Sequence, residues 1–599
     1  MYFLYGYAIF SVTVTLNIGG VMYLNTTIKI PEIKGKIITK KKGTTTYILY
    51  QYGSEYRPEK QYSVPLRTIV GKISSSDSTL MIPNEKFQSY FPDVKLPEEL
   101  PLAYRSCCLK IGSCIIIQKI LNEYKLIPML KKRFGSDTGL ILDLVSYLII
   151  EEENAGQYYP DFAFTHPLLT DKMTIYSDSK VSRLLNTISK DQCIGFLDDW
   201  NAKRDHKSRV YVSYDSTNKN SEAGDIDIVE FGKAKDDKGF PVFNLSIAMD
   251  RTNRIPLFYE EYPGSVTDVS QFTFMVDKVL EYGYKQIGFI LDRGYFSKEN
   301  IRYIDENGYS FIIMCKGCKT LVSSLVLENR GTFEAKREAA IRAYKVYGIT
   351  TTARLYEDDT AERYFHIYYN PSKQAAERER LEQRIEKLRQ FMDRHVGKDE
   401  KFGKTYQEYF HLHYSKQGIF LGADERTDVI ERELQLCGYF CIITSEKMTA
   451  SQALIQYKGR DISEKLFQSD KTFIGSKSER VQSSRSMSSK IFIEFVALIV
   501  RNRIYNLLKE QMIRMETKQK YMTVPAAIRE LEKIEIVRRH GRNYKLDHAV
   551  TRTQKLILNS FGFDETDIKK RAEEYGKLLN ISQSYISKEA QDNGEEEDD

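Results

Sequence analysis

The spacing of hydrophobic and polar residues changes twice along the chain. From Thr26 to about Leu96, short runs of alternating apolar and polar residues are separated by turn residues, which predicts β-hairpins. From about Leu102 to Arg204, apolar residues recur three and four positions apart, which predicts a small domain of amphipathic helices. From Arg209 onwards, strand-like and helix-like runs are mixed, so a third kind of structure begins there.

The region after Arg209 follows the order of a mixed α/β sheet. Three strand-like runs (RVYVSYD, FPVFNLSIAMD and RIPLFYEEY) precede a helix, the apolar strand QIGFILD, a second helix and the strand YSFIIMCK. This order predicts a sheet with antiparallel and parallel strands. After Lys316 a long segment interrupts the series; it contains strand-like runs and a strongly charged helix at 374–396. The strand GYFCIITS and a long helix from about Ser451 follow.

These patterns predict a multidomain α/β protein. The C-terminal region is expected to serve either dimerisation or plain packing. The predicted boundaries are 1–21 for an upstream extension or disordered segment, 22–100 for a β-rich region, 101–205 for a helical DNA-binding region, 206–316 with 451–510 for the α/β domain, 317–450 for a β-rich insertion, 511–581 for a C-terminal subdomain, and 582–599 for a disordered acidic tail.

Composition narrows the possible classes of protein. The chain of 599 residues is 42% hydrophobic and 28% charged, which excludes a fully disordered protein. Its net charge is +6, and because the last five residues are all acidic, residues 1–594 carry +11. This balance is compatible with nucleic acid without proving it. Eight cysteines in so long a chain do not make a disulfide scaffold, so we expect a reducing cytoplasm.

Two lysine-rich clusters and two apolar stretches allow more than one interpretation. Lys40–Lys42 and Lys131–Arg133 either follow DNA phosphates or form ordinary solvated faces. The uncharged first 24 residues lack the basic start of a signal peptide. We favour a start at Met22 over a strand pair or a membrane anchor. The run IFIEFVALIVRNRIYNLL is expected to be a buried helix, because only about ten consecutive residues are largely apolar. No membrane association is therefore expected.

Two aspartates stand at the ends of predicted strands. Asp215 follows VYVSY and Asp292 follows QIGFIL, and both strands belong to the same predicted sheet. A carboxylate at such a position is held rigidly by its strand and can reach a ligand at the sheet edge. Taken singly, either aspartate has a simpler interpretation as the start of a turn or the cap of the next helix.

A third group of residues recurs on one face of the helix predicted from Ser451. Offsets of 0, 3, 7 and 14 place these side chains within roughly 60° of one another on a helical wheel. They are Tyr457, Arg460, Glu464 and Lys471. Flanking cations keep a carboxylate ionised and suited to a metal, and cations with a phenol suit phosphate oxygens. The alternative is a solvent-exposed helix face with ion pairs such as Arg460 to Glu464.

Two strand-end aspartates and a helical glutamate form a donor set made of oxygen alone. Such ligands favour Mg²⁺ or Mn²⁺ over zinc. Two such ions about 4 Å apart would activate a water or a 3′-hydroxyl and stabilise the leaving oxygen of a phosphodiester. The set Asp215, Asp292 and Glu464 therefore indicates nuclease or strand-transfer chemistry.

With these motifs the chain resembles the bacterial insertion-sequence transposases of the DDE class, in particular the group with the Y-x2-R-x3-E-x6-K signature. The signature stands here as Tyr457, Arg460, Glu464 and Lys471. The segments YDSTN, FGKAKDDKGFP, EEYPGSVTD and LDRGYFSKENI are also similar to that group, and the resemblance extends from about Arg209 to Leu508.

The resemblance implies a specific site and activity. It implies a ribonuclease H-like catalytic domain with Asp215, Asp292 and Glu464 as the metal-binding triad, and a β-rich insertion between Asp292 and Glu464. Tyr457, Arg460 and Lys471 would contact DNA at the cut end, and we expect Arg293 to reach DNA as well. Such an enzyme would cut and join the terminal inverted repeats of its own element. It would act as a homodimer in the DNA-bound complex, in the bacterial cytoplasm near the nucleoid.

Three alternatives stay open at this stage. The same triad would serve a nuclease that does not transfer strands, and a dead element would leave a DNA-binding protein without catalysis. Four thiolates, Cys315 and Cys318 with Cys437 and Cys441, would be the ligands of a zinc ion, although the second pair lies in an apolar stretch.

Overall fold

The fold is taken from a computed structural model of the chain. It describes residues 27–33, 35–43, 45–57, 61–74, 77–84, 86–94, 96, 105–220, 226–231, 241–315, 319–359, 361–459, 479–481, 483–516, 519–538 and 544–579. Within these ranges no helix is long and apolar enough to cross a membrane.

The N-terminal region forms the predicted hairpins. Its five antiparallel strands are ordered β1-β5-β4-β3-β2 and enclose a small apolar cluster that includes Ile48, Val70 and Phe87. The elements are β1 (Ile28–Lys29), β2 (Ile37–Lys42), β3 (Thr45–Arg57), β4 (Tyr62–Ile73), β5 (Leu80–Pro83) and the short helix α1 (Phe87–Tyr90).

The helical region predicted at 101–205 shares one core with the C-terminal region. Strand β6 (Cys108–Lys110) pairs with β18 (Glu535–Val537), which also pairs with β19 (Lys545–Leu546). The predicted boundary at 511 therefore does not separate two cores, because this pairing brings distant parts of the chain together. The helices are α2 (Gly112–Glu123), α3 (Leu126–Phe134), α4 (Thr138–Glu151), α5 (Tyr159–Thr165), α6 (Asp178–Thr187), α7 (Lys190–Asn201), α16 (Val524–Leu531) and α17 (Arg552–Ser560).

A nine-stranded mixed sheet dominates the rest of the chain. Its strand order is β12-β13-β14-β17-β11-β10-β7-β8-β9, with β7, β10 and β11 parallel and the other neighbours antiparallel. The strands are β7 (Val210–Asn220), β8 (Val242–Asp250), β9 (Ile255–Pro263), β10 (Ile287–Leu291), β11 (Ser310–Met314), β12 (Ala340–Ile341), β13 (Val346–Arg354), β14 (Glu362–Tyr369) and β17 (Tyr439–Thr444).

The parallel strands are connected by helices, as the sequence predicts. Helix α8 (Asp268–Glu281) precedes β10, and α9 (Lys298–Glu306) connects β10 to β11. Strand β10 is buried along its whole length and β11 nearly so, which is typical of parallel strands covered on both faces.

Each face of this sheet packs against helices. Val212, Tyr214 and Leu291 point to the main core, which also contains residues of α8, α9 and the long helix α15 (Ser484–Arg514). Side chains of alternate parity, such as Ile290, pack instead against α14 (Ala450–Lys458). We call this second side the α14 face. Helix α15 is buried through its apolar run, in agreement with the expected buried helix.

The predicted insertion is not separate from the sheet. Strands β12, β13, β14 and β17 all lie within 317–450, and β17 pairs with β11 and β14, so they extend the mixed sheet by four strands. Only the remainder forms a cluster of its own, around Ile385, Phe402 and Phe420. Around it lie α11 (Pro371–Asp393), α12 (Lys404–Gln407), β15 (Phe410–Tyr414), β16 (Phe420–Glu425) and α13 (Thr427–Leu436). Helix α10 (Lys319–Asn329) instead contributes Leu325 and Val326 to the main core. The charged helix predicted at 374–396 is α11.

Candidate active site

Two of the three predicted acids are neighbours in the sheet. Strands β7 and β10 run parallel, and their last paired residues are Tyr214 and Leu291. Asp215 and Asp292 are the next residue on each strand, and both are half-buried. Since adjacent strands are about 4.8 Å apart, the two Cα atoms lie roughly 5 Å from each other.

Both aspartates project from the α14 face. Tyr214 and Leu291 point to the main core, and Asp292 retains an extended backbone with φ −71° and ψ 157°. Because side chains alternate along a strand, Asp215 and Asp292 point the other way. The backbone N–H of Ser216 donates to Oδ1 of Asp215 at 2.9 Å, which helps to orient that carboxylate.

Helix α14 is fixed on this face at its start. Thr449 and Gln452 form a capping box, in which each side chain accepts from the other residue's backbone N–H. The hydroxyl of Tyr368 donates to the carbonyl of Ala450 at 2.7 Å. A Cβ at Gly348 would lie 3.1 Å from that of Ala450, so the absent side chain gives the helix room to approach the sheet. The first turn is therefore held by three separate contacts.

The signature residues are placed only in part. Tyr457 is buried against Ile290 and Leu454 on the α14 face, in the same cluster as the sheet residues beneath it. Arg293 directly follows Asp292 and is exposed. Arg460, Glu464 and Lys471 lie outside the described residues. The structure thus brings together Asp215, Asp292 and the helix that leads into the signature.

After residues 460–478, the described chain resumes at Glu479, which lies beside the end of β7. The backbone N–H of Glu479 donates to the carbonyl of Asn220 at 3.0 Å. The segment that carries Glu464 therefore lies between two fixed points, Gly459 at the end of α14 and Glu479 beside the end of β7.

A buried group of four charges surrounds that second fixed point. Nζ of Lys219 lies 2.8 Å from Oε2 of Glu494 and 3.2 Å from Oε1 of Glu479, and Nζ of Lys490 lies 3.5 Å from Oε2 of Glu479. We call these residues the Lys219 quartet. Burial raises the pKa of Glu479, but the charges of Lys219 and Lys490 outweigh it, so the pKa lies below its ordinary value.

The sequence interpretation missed this quartet. Its members are separated by up to 275 positions, and no local pattern connects Lys219 with Glu494. One signal was available: a lysine within a strand that is otherwise well buried needs a partner of opposite charge.

The chemistry of the two aspartates fits a hard divalent cation. Asp292 directly follows β10, but the prediction that Asp215 ends its strand is wrong, because β7 continues to Asn220 and Asp215 pairs with Ile247 of β8. Both residues offer carboxylate oxygens from a rigid backbone. Among the described residues there is no group of three acids, histidines or cysteines that would hold a metal ion. Asp215 and Asp292 therefore provide part of an oxygen donor set, and the predicted third ligand, Glu464, is outside the described residues.

Comparison with known families decides the class of protein. The model of the family "Transposase DDE domain" matches residues 199–500, just over half of the chain. The chain belongs to this transposase family. The match begins in the last turn of α7 and covers the sheet with both aspartates, α14 and the first half of α15.

Two further comparisons add little about this transposase. A cryo-EM structure of a piggyBac transposase synaptic complex with hairpin DNA is similar over 80% of this chain and 82% of that one, with 9% sequence identity and a TM-score of 0.31. A score this low carries no conclusion about the fold. No curated protein matches the chain.

The two basic clusters of the transposase differ in their surroundings. Lys40, Lys41 and Lys42 are exposed on β2, at one edge of the N-terminal sheet. In the second cluster, Lys132 and Arg133 both bind Asp199, at 2.7 and 2.6 Å, and the hydrogen bond from Arg133 lowers the pKa of that carboxyl. The first cluster is thus more available for phosphates.

The proposed zinc ligands are only partly described. Cys315 and Cys441 face each other on β11 and β17, where the N–H of Cys315 donates to the carbonyl of Cys441 at 3.1 Å. Cys437 is buried at the end of α13, and Cys318 lies outside the described residues. Zinc binding stays an untested alternative.

Proposed function

We propose that this chain is an insertion-sequence transposase of the Y-x2-R-x3-E-x6-K group, which cuts and joins the ends of its own element. The observation that supports this most is the position of Asp215 and Asp292, each one residue beyond the paired residues Tyr214 and Leu291. The chain's membership in the transposase DDE domain family also supports this proposal.

The strand order supports the predicted ribonuclease H-like domain. Three antiparallel strands, β7, β8 and β9, lie beside two parallel strands, β10 and β11, that are reached through helices. The first strand is central and carries Asp215, and its parallel neighbour carries Asp292. We assign the domain to this fold on that basis.

We propose that Asp215, Asp292 and Glu464 together hold Mg²⁺ or Mn²⁺, as a pair of ions. Bound there, the metal would activate a water or a 3′-hydroxyl and stabilise the leaving oxygen of a phosphodiester. Asp215 and Asp292 present their carboxylates from rigid strands. Glu464 follows Gly459 by five residues in the sequence, and we assign it as the third ligand from the resemblance of the signature.

The neighbouring cations would bind the DNA. Arg293 is exposed directly beside Asp292, and Arg460 and Lys471 follow α14 in the signature. We assign these three to phosphate contacts and Tyr457 to the position of the backbone at the cut end. Because Tyr457 is buried on the α14 face, its part in this contact is mainly to fix α14, which ends two residues before Arg460.

We further propose that the active form is a homodimer on two terminal inverted repeats, working in the bacterial cytoplasm on nucleoid DNA. The exposed lysines of the N-terminal sheet and the helical region would recognise those repeats.

A strand-transfer assay tests the proposal. The substrate is a DNA fragment that carries the inverted repeats flanking the gene, with a supercoiled plasmid as target and Mg²⁺ or Mn²⁺ as cofactor. The expected result is end cleavage followed by joined products. Cleavage without joining would identify a nuclease instead, and binding of the repeats without cleavage would identify a catalytically dead DNA-binding protein.

A further inference from the structure

The end of helix α14 is held by an arginine from a distant turn. Arg251 follows Asp250, the last residue of β8, and its backbone N–H donates to the carbonyl of Tyr211 at 2.8 Å. Its guanidinium reaches across to α14. There Nη1 donates to Oε1 of Gln456 at 2.6 Å, and Nη2 donates to the carbonyl of Ile455 at 2.9 Å. Arg251 thereby joins the strand of Asp215 to the last turn of α14.

Gly459 shows how closely the arginine approaches the helix. A Cβ on Gly459 would lie 1.7 Å from Nε of Arg251 and 2.3 Å from Cζ. The backbone of Gly459 is ordinary right-handed helix, with φ −62° and ψ −15°, so its conformation does not require glycine. Residue 459 is therefore a glycine because any larger side chain would overlap the guanidinium of Arg251.

The charge of Arg251 suits this position. The carbonyl of Ile455 also accepts from the N–H of Gly459 at 3.1 Å and uses its second lone pair for Arg251. The last turn of a helix carries the negative end of its dipole, so a cation there is stabilising. The planar guanidinium donates in two directions at fixed geometry, which a lysine does not reproduce. Arg251 is half-buried, which limits its freedom to leave the site.

We infer that Arg251 is a positioning residue, which sets the end of α14 relative to β7 so that the signature continues from a fixed place on the sheet face to which Asp215 points. The inference rests on the proposed function, because Glu464 follows Gly459 by five residues. The contact of Arg251 with α14 is fixed at both ends. The backbone of Arg251 is held at Tyr211, four residues before Asp215 on β7, and α14 ends on the same face of the sheet. Loss of the link leaves both aspartates unchanged and releases the helix end.

Three variants test this role. Arg251→Ala removes the link, Gly459→Ala forces the guanidinium away, and the double variant Arg251→Ala with Gly459→Ala combines the two. Since a 1 Å displacement at an active site can lower the rate about a hundredfold, we expect each single variant to lower kcat for end cleavage by about 10- to 100-fold. KM for DNA should change much less than kcat, because the proposed phosphate contacts of Arg293 and the N-terminal lysines do not depend on α14. The double variant should be no slower than Arg251→Ala, because the clash at Gly459 needs the guanidinium.

Hydrogen exchange gives a readout that does not depend on activity. In the DNA-free protein, Arg251→Ala should speed amide exchange in peptides covering 450–480 and leave peptides of β10 and β11 unchanged. Arg251→Lys should restore part of the protection. The control is Arg389→Ala, which removes an arginine bound to Glu425 at 2.6 Å in the insertion and should alter neither exchange at 450–480 nor kcat.

The two proposals fail in different ways. If the wild-type protein cleaves no terminal DNA but Arg251→Ala loosens 450–480, the link is real and the proposed function is wrong. If the wild-type protein cleaves and Arg251→Ala has wild-type exchange and kcat, Arg251 is not a positioning residue. Additive losses in the double variant would also contradict the inference.

Discussion

Asp292 lies beside Asp215 because β10 and β7 are parallel and paired up to Leu291 and Tyr214. Two residues separated by 77 positions thus become neighbours at the point where the pairing of the two central strands ends. A one-residue shift in this register would turn one of the aspartates towards the main core. The buried side chains of Tyr214 and Leu291 prevent that shift, so packing in the core fixes the distance between the two carboxylates.

Neutral replacements of the acids should separate chemistry from binding. Asp215→Asn, Asp292→Asn and Glu464→Gln keep nearly the same shape but weaken metal binding. Each should lower end cleavage by about a thousandfold or more, because the carboxylate charge is needed to hold the cation. DNA binding, measured by mobility shift without metal, should change little. Equal loss of binding and cleavage would count against a metal-binding role.

The sequence indicated the pair of aspartates but not the long-range contacts around them. Asp215 and Asp292 were found because each follows an apolar run, and such a pattern is local; the same pattern wrongly placed the end of β7 at Asp215, because the strand continues to Asn220. Strand β17 could not be placed in the mixed sheet, because its partners β11 and β14 are set by pairing far along the chain. Arg251 and Gln456 are 205 positions apart, and nothing in either segment indicates the contact. Long-range polar contacts leave no periodicity in a sequence.

Breaking the Lys219 quartet should strongly destabilise the protein. Lys219→Met removes the cation that binds both Glu479 and Glu494, so two buried carboxylates each lose an ion pair, while Glu479 keeps its contact with Lys490. Loss of one partner from a buried ion pair costs about 3–5 kcal/mol, so the free energy of unfolding should fall by that amount in urea titrations.

An exposed ion pair provides the control for that experiment. Lys298 binds Asp358 at 2.8 Å, and the two side chains are 37% and 52% exposed, in contrast to the buried Lys219 quartet. Lys298→Met should therefore cost less than about 1 kcal/mol. Similar losses for the two lysine variants would mean that the quartet is no more important than a surface pair.

His366 should make the protein less stable in mild acid. The imidazole is fully buried between Thr350 and Thr444, and burial lowers its pKa to about 4. The unfolded chain has the ordinary pKa of about 6.5, so it binds a proton first as the pH falls. The neutral, buried imidazole therefore adds about 3 kcal/mol to the free energy of unfolding above about pH 6.5. This stabilisation is lost progressively as the pH falls to about 4.

Urea titrations across that pH range measure the effect. His366→Gln should remove this part of the pH dependence, although the variant is less stable at neutral pH. His411→Gln, at an exposed position, should retain the full dependence. If the two variants show the same pH profile as the wild-type protein, His366 is not the group that titrates.

The lysines of β2 should contribute to DNA binding through their charge alone. Lys40, Lys41 and Lys42 are exposed, and each phosphate contact releases a counterion from DNA. Replacement of all three by Ala should weaken binding of any duplex at low salt. The slope of log affinity against log salt should fall by between about one and three, since each contact contributes about 0.9.

The matched control is a second set of three exposed lysines, Lys398, Lys401 and Lys404, in the insertion. Their replacement by Ala changes the net charge by the same amount. A general electrostatic effect would lower the salt slope equally in both triple variants, whereas a phosphate-binding edge at β2 lowers it only in the first. Unchanged slopes in both would leave the N-terminal sheet without a role in DNA binding, and recognition of the ends would then have to come from the helical region.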